Sequence, residues 1–410
     1  MPDFRAYGAP LDVRRCRLHR VDRVDMLARM SVERQRTHKT KDARHPVWRE
    51  FPLLIGLGTA AIFFAGGSQL VEIVAHPFAL IAVFIWLFVV ILWSAVSVVR
   101  HAECLAIKWG EPYGTLILTL SAITIEVVMI SVAMLHGANN PTLGRDSIFS
   151  VIMIALNGLV GLCLLVGGLR YREQYYNLQG VNSYLNVIMT LAVLGLVLPN
   201  FTTSTSGPTF STEQAIFLAA TSLFLYAIFL LIQTVRHRQY FVETKDAVTA
   251  GNSADHLIHV YSTPFHAVML LLYLVTVILL AEKFAIPLDN SIEQFHMPQA
   301  FGGAMIAALV LSPEGLGAIS ASLRDQLQRA VNILLGSVLA TIGLTIPAVL
   351  TISLVTKRPI ELGVQGGNLP LLLLTLAVSV VTFTSRKTNV LQGCVHLLLF
   401  AVFVLLIFAP

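Results

Sequence analysis

Two glutamates interrupt otherwise apolar stretches, each twelve positions after a glycine: Gly114 and Glu126 in GTLILTLSAITIEVVMISVAML, Gly302 and Glu314 in GGAMIAALVLSPEGLGAISASL. Both stretches are long enough to cross a bilayer. At that depth an ionisable side chain costs on the order of 2.5–3.5 kcal/mol unless it has a partner or a water-filled cavity. Two carboxylates close together in a low-dielectric site do not easily both stay ionised, so such a pair holds protons or holds a cation. A hard divalent ion such as calcium supplies charge for both and takes about six to eight oxygen ligands. Mutually exclusive occupancy is the physical basis of antiport: one cation displaces up to two protons, and a gradient of either species drives the other without a nucleotide. Glu126 and Glu314 are therefore the candidate cation- and proton-binding residues.

Further ligands are fewer. On a regular helix the face of Glu126 carries Ala122, Ile123, Met129, Ile130 and, one heptad back, Thr119, whereas that of Glu314 carries Val310, Leu311, Gly317 and Ala318, with no side-chain oxygen. Thr124 and Ser312, two residues before each glutamate, point elsewhere unless the helix is broken. Pro313 with Gly315 predicts such a break in the second stretch, where the proline frees the carbonyl near Leu309. A freed carbonyl lining a cavity is a good cation ligand. The helices that follow carry Asn157, with Gly158 and Gly161, and Ser337, with Gly336 and Thr341. Asn157 and Ser337 have two equal readings, as oxygen ligands or as interhelical packing and hydrogen-bonding residues.

The remaining polar residues of the apolar region read more plainly. No Lys or Arg interrupts either glutamate stretch, which weakens a structural ion pair as an explanation. His266 and His396 have the chemistry of proton carriers, but a lone histidine near a helix end is more often a hydrogen-bonded packing residue. Glu72 and Glu213 fall at span ends and read as interfacial. His256 and His259, in DHLIH, have ligand-like spacing without further ligands and read as part of a solvated loop.

The elements that must position these residues are membrane spans. Hydrophobic residues make up 56% of the 410 residues and charged ones 12%, outside the range of soluble globular chains. With spans of about 17–25 residues as the template, eleven are expected, near 52–71, 78–99, 112–135, 147–168, 183–199, 214–234, 264–282, 298–318, 330–354, 369–385 and 389–409. The fold class is all-α polytopic membrane protein. Residues 1–50 hold eleven Arg, two Lys and seven Asp or Glu, a basic cytoplasmic N-terminal segment in contact with anionic lipid head groups. With that end inside, Arg100, Lys108, Arg170, Arg172, Arg236, Arg238, Lys245, Arg324, Arg329, Arg386 and Lys387 fall on the cytoplasmic side, and only Arg145, Lys283, Lys357 and Arg358 fall outside. The C-terminus then lies outside, the two glutamate spans run in opposite directions, and the expected organisation is a leading helix (51–77), a first five-helix repeat (78–234), a cytoplasmic linker (235–263) and an inverted second repeat (264–410). Substrate in such a fold sits near the midplane, between the repeats.

Other classes are excluded or disfavoured. There is no Gly-Lys dipeptide, hence no GxxxxGK[ST] phosphate loop, and no catalytic constellation, so neither a nucleotide-driven pump nor an enzyme is expected. The four cysteines form no CxxC pattern, no cofactor is implied, and the basic pI of about 9.1 reflects the N-terminal segment rather than nucleic-acid binding. No apolar h-region with a small-residue cleavage site precedes Phe51, so no signal peptide is expected. Residues 1–29 are Arg-rich without periodicity, and one hypothesis is that translation starts at Met26 or Met30; intact mass showing Met1 or Pro2 at the terminus would exclude it. A passive cation channel and a non-transporting scaffold remain as alternatives of other classes.

The stretches SVVRHAECLAIKWGEPYGTLILTLSAITIEV and LSPEGLGAISASLRDQLQRAVNILLGSVLATIGLTIP, with the terminal RKTNVLQGCVHLLLFA, resemble the ChaA-type calcium/proton antiporters of the cation/calcium exchanger superfamily. The likeness runs from about Phe51 to the end. It implies an eleven-helix exchanger with one leading helix and two inverted five-helix halves, in which Glu126 and Glu314 bind calcium or protons alternately, in a bacterial inner membrane. It also implies sodium or potassium exchange for protons as the alternative. The superfamily's Asn-containing motif at the glutamates is replaced here by SAITIE and SPEG, and the central loop YFVETKDAVTAGNSADHLIHV has only three acidic residues.

Overall fold

Eleven helices account for most of the described backbone in the computed structural model, which describes residues 50–66, 76–110, 113–136, 140–241 and 262–409. They are α1 Phe51–Ala65, α2 Pro77–Trp109, α3 Tyr113–His136, α4 Leu143–Tyr171, α5 Leu178–Phe201, α6 Thr212–Arg236, α7 Thr263–Gln294, α8 Ala300–Ser322, α9 Leu327–Thr356, α10 Asn368–Thr382 and α11 Val390–Phe408. Among the described residues nine of these are long and apolar enough to span a membrane, while α1 and α10 are shorter. The eleven expected spans each fall on one of these helices. The segment 1–49, with its Met26 or Met30 start, Glu72, His256, His259 and most of the linker lie outside the described residues.

Local chemistry sets the helix starts. Ser211 and Gln214 make a capping box at α6, Asn389 and Gln392 make one at α11, and the Asn177 side chain caps α5. Proline in the first turn opens α2 and α7, where its missing N–H costs nothing. Glu213 lies beside the α6 cap, bonded to Ser211 and exposed.

The loops gather at two ends, and the basic residues sort with them. At one end the two short strands β1 Gln174–Tyr175 and β2 Lys387–Thr388 pair antiparallel, tying the α4–α5 turn to the α10–α11 turn. Lys387 Nζ meets Glu173 at 2.8 Å, Gln174 Nε2 donates to the Ser322 carbonyl and to Asp325, and Asn177 Nδ2 reaches the Gln239 carbonyl. Arg170, Arg172, Arg238, Arg324 and Arg386 flank these contacts. At the other end Arg145 bonds Asp146 and the Gly363 carbonyl, Arg358 donates to the Met134 carbonyl at 2.9 Å, and Asn200 donates to the Val364 carbonyl.

Contacts along the helices fix their directions. Gly303 meets Asp146 while Ser322 bonds the Cys163 carbonyl, so α4 and α8 run parallel. Thr341 bonds Glu126 while Arg358 bonds Met134, so α3 and α9 run parallel. A short turn joins α8 to α9, and Ser337 folds back onto Glu314. The two glutamate helices α3 and α8 are therefore antiparallel.

Two glycines allow the tightest of these approaches. A Cβ on Gly303 would stand 2.6 Å from the Asp146 carbonyl carbon and 2.7 Å from the Ser147 nitrogen, and one on Gly393 would stand 2.7 Å from the Leu165 nitrogen. Backbone therefore packs directly on backbone where α8 and α11 meet α4.

The break expected at Pro313 and Gly315 does not occur: α8 is continuous from Ala300 to Ser322. One missing N–H is a small loss for a helix held by its neighbours, as Pro287 inside α7 also shows. Gly315 instead admits the Leu159 side chain of α4, which a Cβ would meet at 2.8 Å. The backbone irregularities lie on other helices, as π-helical turns at Met153–Leu159 in α4, Val193–Val197 in α5, Ile232–Arg236 in α6 and Thr341–Thr345 in α9. From Glu126 to Met153 and from Glu314 to Thr341 the chain covers the same 27 positions.

Gly303→Val should lower thermal stability in detergent by about 1–3 kcal/mol or prevent folding through overpacking. Gly58→Ala, where a Cβ meets nothing within 4 Å, should be neutral or slightly stabilising. Thermal unfolding of the purified variants checks both.

Candidate functional site

Glu126 is 2% exposed, in the middle of α3. Its Oε2 accepts a hydrogen bond from the Thr341 hydroxyl at 2.7 Å, and its Oε1 has no hydrogen-bond partner among the described residues. The buried Thr345 hydroxyl faces the same carboxylate at a geometry short of a hydrogen bond. Glu314, half-buried on α8, accepts from the Ser337 hydroxyl through its Oε2. One helix, α9, thus serves both acids. Ser337, Thr341 and Thr345 recur every four residues, and the last two occupy the π-helical turn. Such turns widen the helix and re-aim its side chains, and they concentrate at functional positions.

Both carboxylates line a single cavity of about 240 Å³. Its walls come from α2, α3, α5, α6, α8 and α9 and are mostly apolar. The polar lining consists of Thr119, with the Tyr226 hydroxyl beside it, Tyr184, which accepts from Gln233 at 2.8 Å, Asn332 and Ser337, together with the charged Glu103 and Arg329. Asn332 also donates to the Phe241 carbonyl at the basic end of the bundle. Two acids within one mostly apolar, partly polar cavity are chemically suited to exchanging protons for a cation. Oxygen supply inside it is modest: two carboxylates and a few hydroxyls.

The sequence-derived candidates divide. Glu126, Glu314, Ser337 and Thr119 come together around the cavity, and Pro313 lines it without breaking its helix. Thr124 and Ser312 donate to the carbonyls four residues back, Leu120 and Ala308, and so stay on their own helices. Asn157 is not at the carboxylates. Its amide donates to Thr375 at 2.8 Å, and its oxygen faces His396 Nδ1 at 3.2 Å, while His396 Nε2 meets the Thr382 hydroxyl at 2.9 Å. Asn157, Thr375, Thr382 and His396, buried between α4, α10 and α11, bond one another in this way and hold Asn157 away from the cavity lining. His266 pairs with His101 across α2 and α7, Nδ1 to Nδ1 at 2.9 Å, away from the cavity lining.

Thr341, Thr345, Tyr226, Glu103 and Arg329 were not singled out as site residues from the sequence. The four-residue spacing of Ser337, Thr341 and Thr345 is a signal that was available, since it marks one face of a helix. Tyr226, Glu103 and Arg329 carry no such signal; only the meeting of helices distant in sequence brings them to the cavity.

The sequence matches the sodium/calcium exchanger protein family over residues 79–235 and 265–409. It is 44% identical to the putative ionic transporter y4hA of Sinorhizobium fredii, over 76% of this chain and 84% of that protein. It is 40% identical to the sodium-potassium/proton antiporter ChaA of Escherichia coli, over 88% of this chain and 95% of that one. Among solved structures, native YfkE aligns with a TM-score of 0.67 and 17% identity, covering 88% of this chain and 100% of that chain. The H+/Ca2+ exchanger CAX aligns with a TM-score of 0.62 and 15% identity, covering 87% and 88%. At those identities the structures support the fold, and the sequence matches carry the assignment: the chain belongs to the sodium/calcium exchanger family and is a membrane antiporter of inorganic cations, not an enzyme.

Proposed function

We propose that the chain exchanges a cytoplasmic cation for protons by alternate occupancy of Glu126 and Glu314. The observation that carries this is the meeting of two acids, from helices of opposite direction, on one cavity with hydroxyls supplied by α9. A buried carboxylate with an unbonded oxygen is costly while charged and unpaired. A proton or a cation removes that cost, and the two cannot do so together at the same oxygen. Glu126 and Glu314 are the groups that hold the cargo; Ser337, Thr341 and Thr345 orient them.

The carboxylate pair suits calcium, the leading reading of the sequence. A monovalent cargo, sodium or potassium, is favoured by a specific observation: the relative at 40% identity is named a sodium-potassium/proton antiporter, whereas the Bacillus subtilis protein named a Ca2+/H+ antiporter is 23% identical over 58% of this chain.

Residues 78–234 and 264–410 are proposed to be inverted repeats around this site, near the membrane midplane. The antiparallel course of α3 and α8, the equal interval from each glutamate to its π-helical turn, and the family match in two separate stretches support it. The basic end of the bundle is proposed to face the cytoplasm of a bacterial inner membrane, with the N-terminus inside and the C-terminus outside. The cavity would then open inward.

In reconstituted vesicles, proton movement on adding potassium, sodium or calcium should fall to background in both Glu126→Gln and Glu314→Gln. Flux surviving both substitutions would place the site elsewhere, and cation flux without proton movement would indicate a channel. Thr341→Val should weaken apparent cation affinity roughly tenfold or more, the equivalent of about 1.5–3 kcal/mol for a hydrogen bond to a charged group. Thr124→Val, whose hydroxyl bonds only its own helix, should change it less than about twofold; titration of initial rates reads both.

A further inference from the structure

The cavity that holds the two acids carries a second pair of charges with no role assigned above. Glu103 of α2 and Arg329 of α9 both line it, and the guanidinium acts electrostatically on the Glu103 carboxylate. Both residues are exposed, in contrast to Glu126. Arg329 makes no hydrogen bond and no ion pair among the described residues. Of the described residues lining the cavity, only Glu103, Glu126, Glu314 and Arg329 carry formal charge, so among them Arg329 is the one fixed cation beside three acids.

Helix geometry orders these groups along the cavity. Arg329, Asn332, Ile333, Gly336, Ser337 and Ala340 all line it and recur three or four residues apart on α9, one stripe of a regular helix. At about 1.5 Å per residue, Arg329 stands roughly 12 Å along the axis from Ser337 and roughly 18 Å from Thr341. An ion coming from the basic end passes Glu103 and Arg329, then reaches Glu314 on Ser337, then Glu126 on Thr341. The intervening walls are mostly apolar, and low-dielectric walls concentrate the field of fixed charges on the path between them.

We propose that Glu103 and Arg329 form a charge filter on the access route to Glu126 and Glu314, in which Glu103 draws cations to the mouth and Arg329 biases transport toward monovalent over divalent ions. The energy of an ion in a fixed potential is proportional to its valence. A divalent ion therefore feels the guanidinium twice as strongly as a monovalent one, which offsets the preference that two adjacent carboxylates would otherwise give it. This inference rests on the Glu126–Glu314 reading of the transport site.

The filter has a quantitative signature. Neutralising a fixed charge on the route multiplies the apparent affinity for a monovalent ion by some factor and that for a divalent ion by about the square of it. The experiment uses the full chain in liposomes at constant, low ionic strength, with internal pH reporting initial rates against potassium, sodium and calcium concentration. Where an ion is not transported, its inhibition constant against a transported one gives the same quantity. Arg329→Gln should lower the half-saturating concentration, by about fourfold for calcium if by about twofold for potassium. Limiting rates should change little, and Arg329→Lys should stay near the wild type. Glu103→Gln should shift both ions the opposite way with the same squared relation. An equal shift for both valences, a change in limiting rate alone, or no shift would overturn the filter. Glu126→Gln in the same assay separates the two failures: if exchange persists in that variant the site reading fails, and if exchange is lost there while Arg329→Gln shows no valence dependence only the filter fails.

Discussion

A carboxyl group buried at bilayer depth has to be answered by the protein around it, and that demand organises this structure. Glu126 is almost without solvent contact, and the groups that answer it come from a helix more than 200 residues later in the chain, α9. The same helix answers Glu314 one turn nearer the basic end. Three hydroxyls four residues apart would drift around a regular helix by roughly 40° per step. The π-helical turn at Thr341–Thr345 takes more residues per turn and swings the stripe back. The irregular backbone of α9 thus keeps Thr341 and Thr345 facing the acid on α3 while Ser337 faces the acid on α8.

The corresponding turn in α4, Met153–Leu159, is used differently. Its Asn157 donates from the amide nitrogen to Thr375, which leaves the amide oxygen toward His396. That oxygen can only accept, so His396 donates from Nδ1, and its Nε2 shares a hydrogen bond with the Thr382 hydroxyl. The network joins three helices. It locks α4 to the terminal pair α10 and α11, where Gly161 and Gly393 bring α11 against the α4 backbone. Of two turns at equivalent distances from their glutamates, one therefore serves the cavity that holds both acids and the other a structural clamp.

Much of this was legible in the sequence because membranes impose coarse and unforgiving rules. A span must be long and apolar, so all eleven helices were found, and an acid within one is expensive, so Glu126 and Glu314 stood out. The sorting of Arg and Lys by loop agrees with the way the loops cluster, with Arg145 and Arg358 at one end and Arg170, Arg386 and Lys387 at the other. The partners of the acids were less legible. Ser337 could be named as a candidate, but its weight against Asn157 depended on which way each side chain faced. Pro313 suggested a break because proline is read locally, whereas the helix is held by α4 packing on Gly303 and Gly315. Glu103 and Arg329 look like ordinary span-end charges until α2 and α9 are brought together.

The cavity also separates the two acids by depth, and depth gives them unequal parts in the proposed exchange. Glu314 is half-buried and nearer the charged mouth, so water and ions reach it first. Glu126 lies deeper, with one oxygen held by Thr341 and the other unbonded. An ionised carboxylate in that position is costly without a cation, and a protonated one offers little to a cation. In the proposed exchange, proton loss from Glu126 and cation arrival are therefore tied by the environment of a single oxygen, while Glu314 would complete the charge needed to hold the ion. The antiport stoichiometry would then depend on whether the cation's charge is enough to keep both acids ionised or only the deeper one. That would connect the valence bias proposed for Arg329 at the mouth to the number of protons exchanged at the floor.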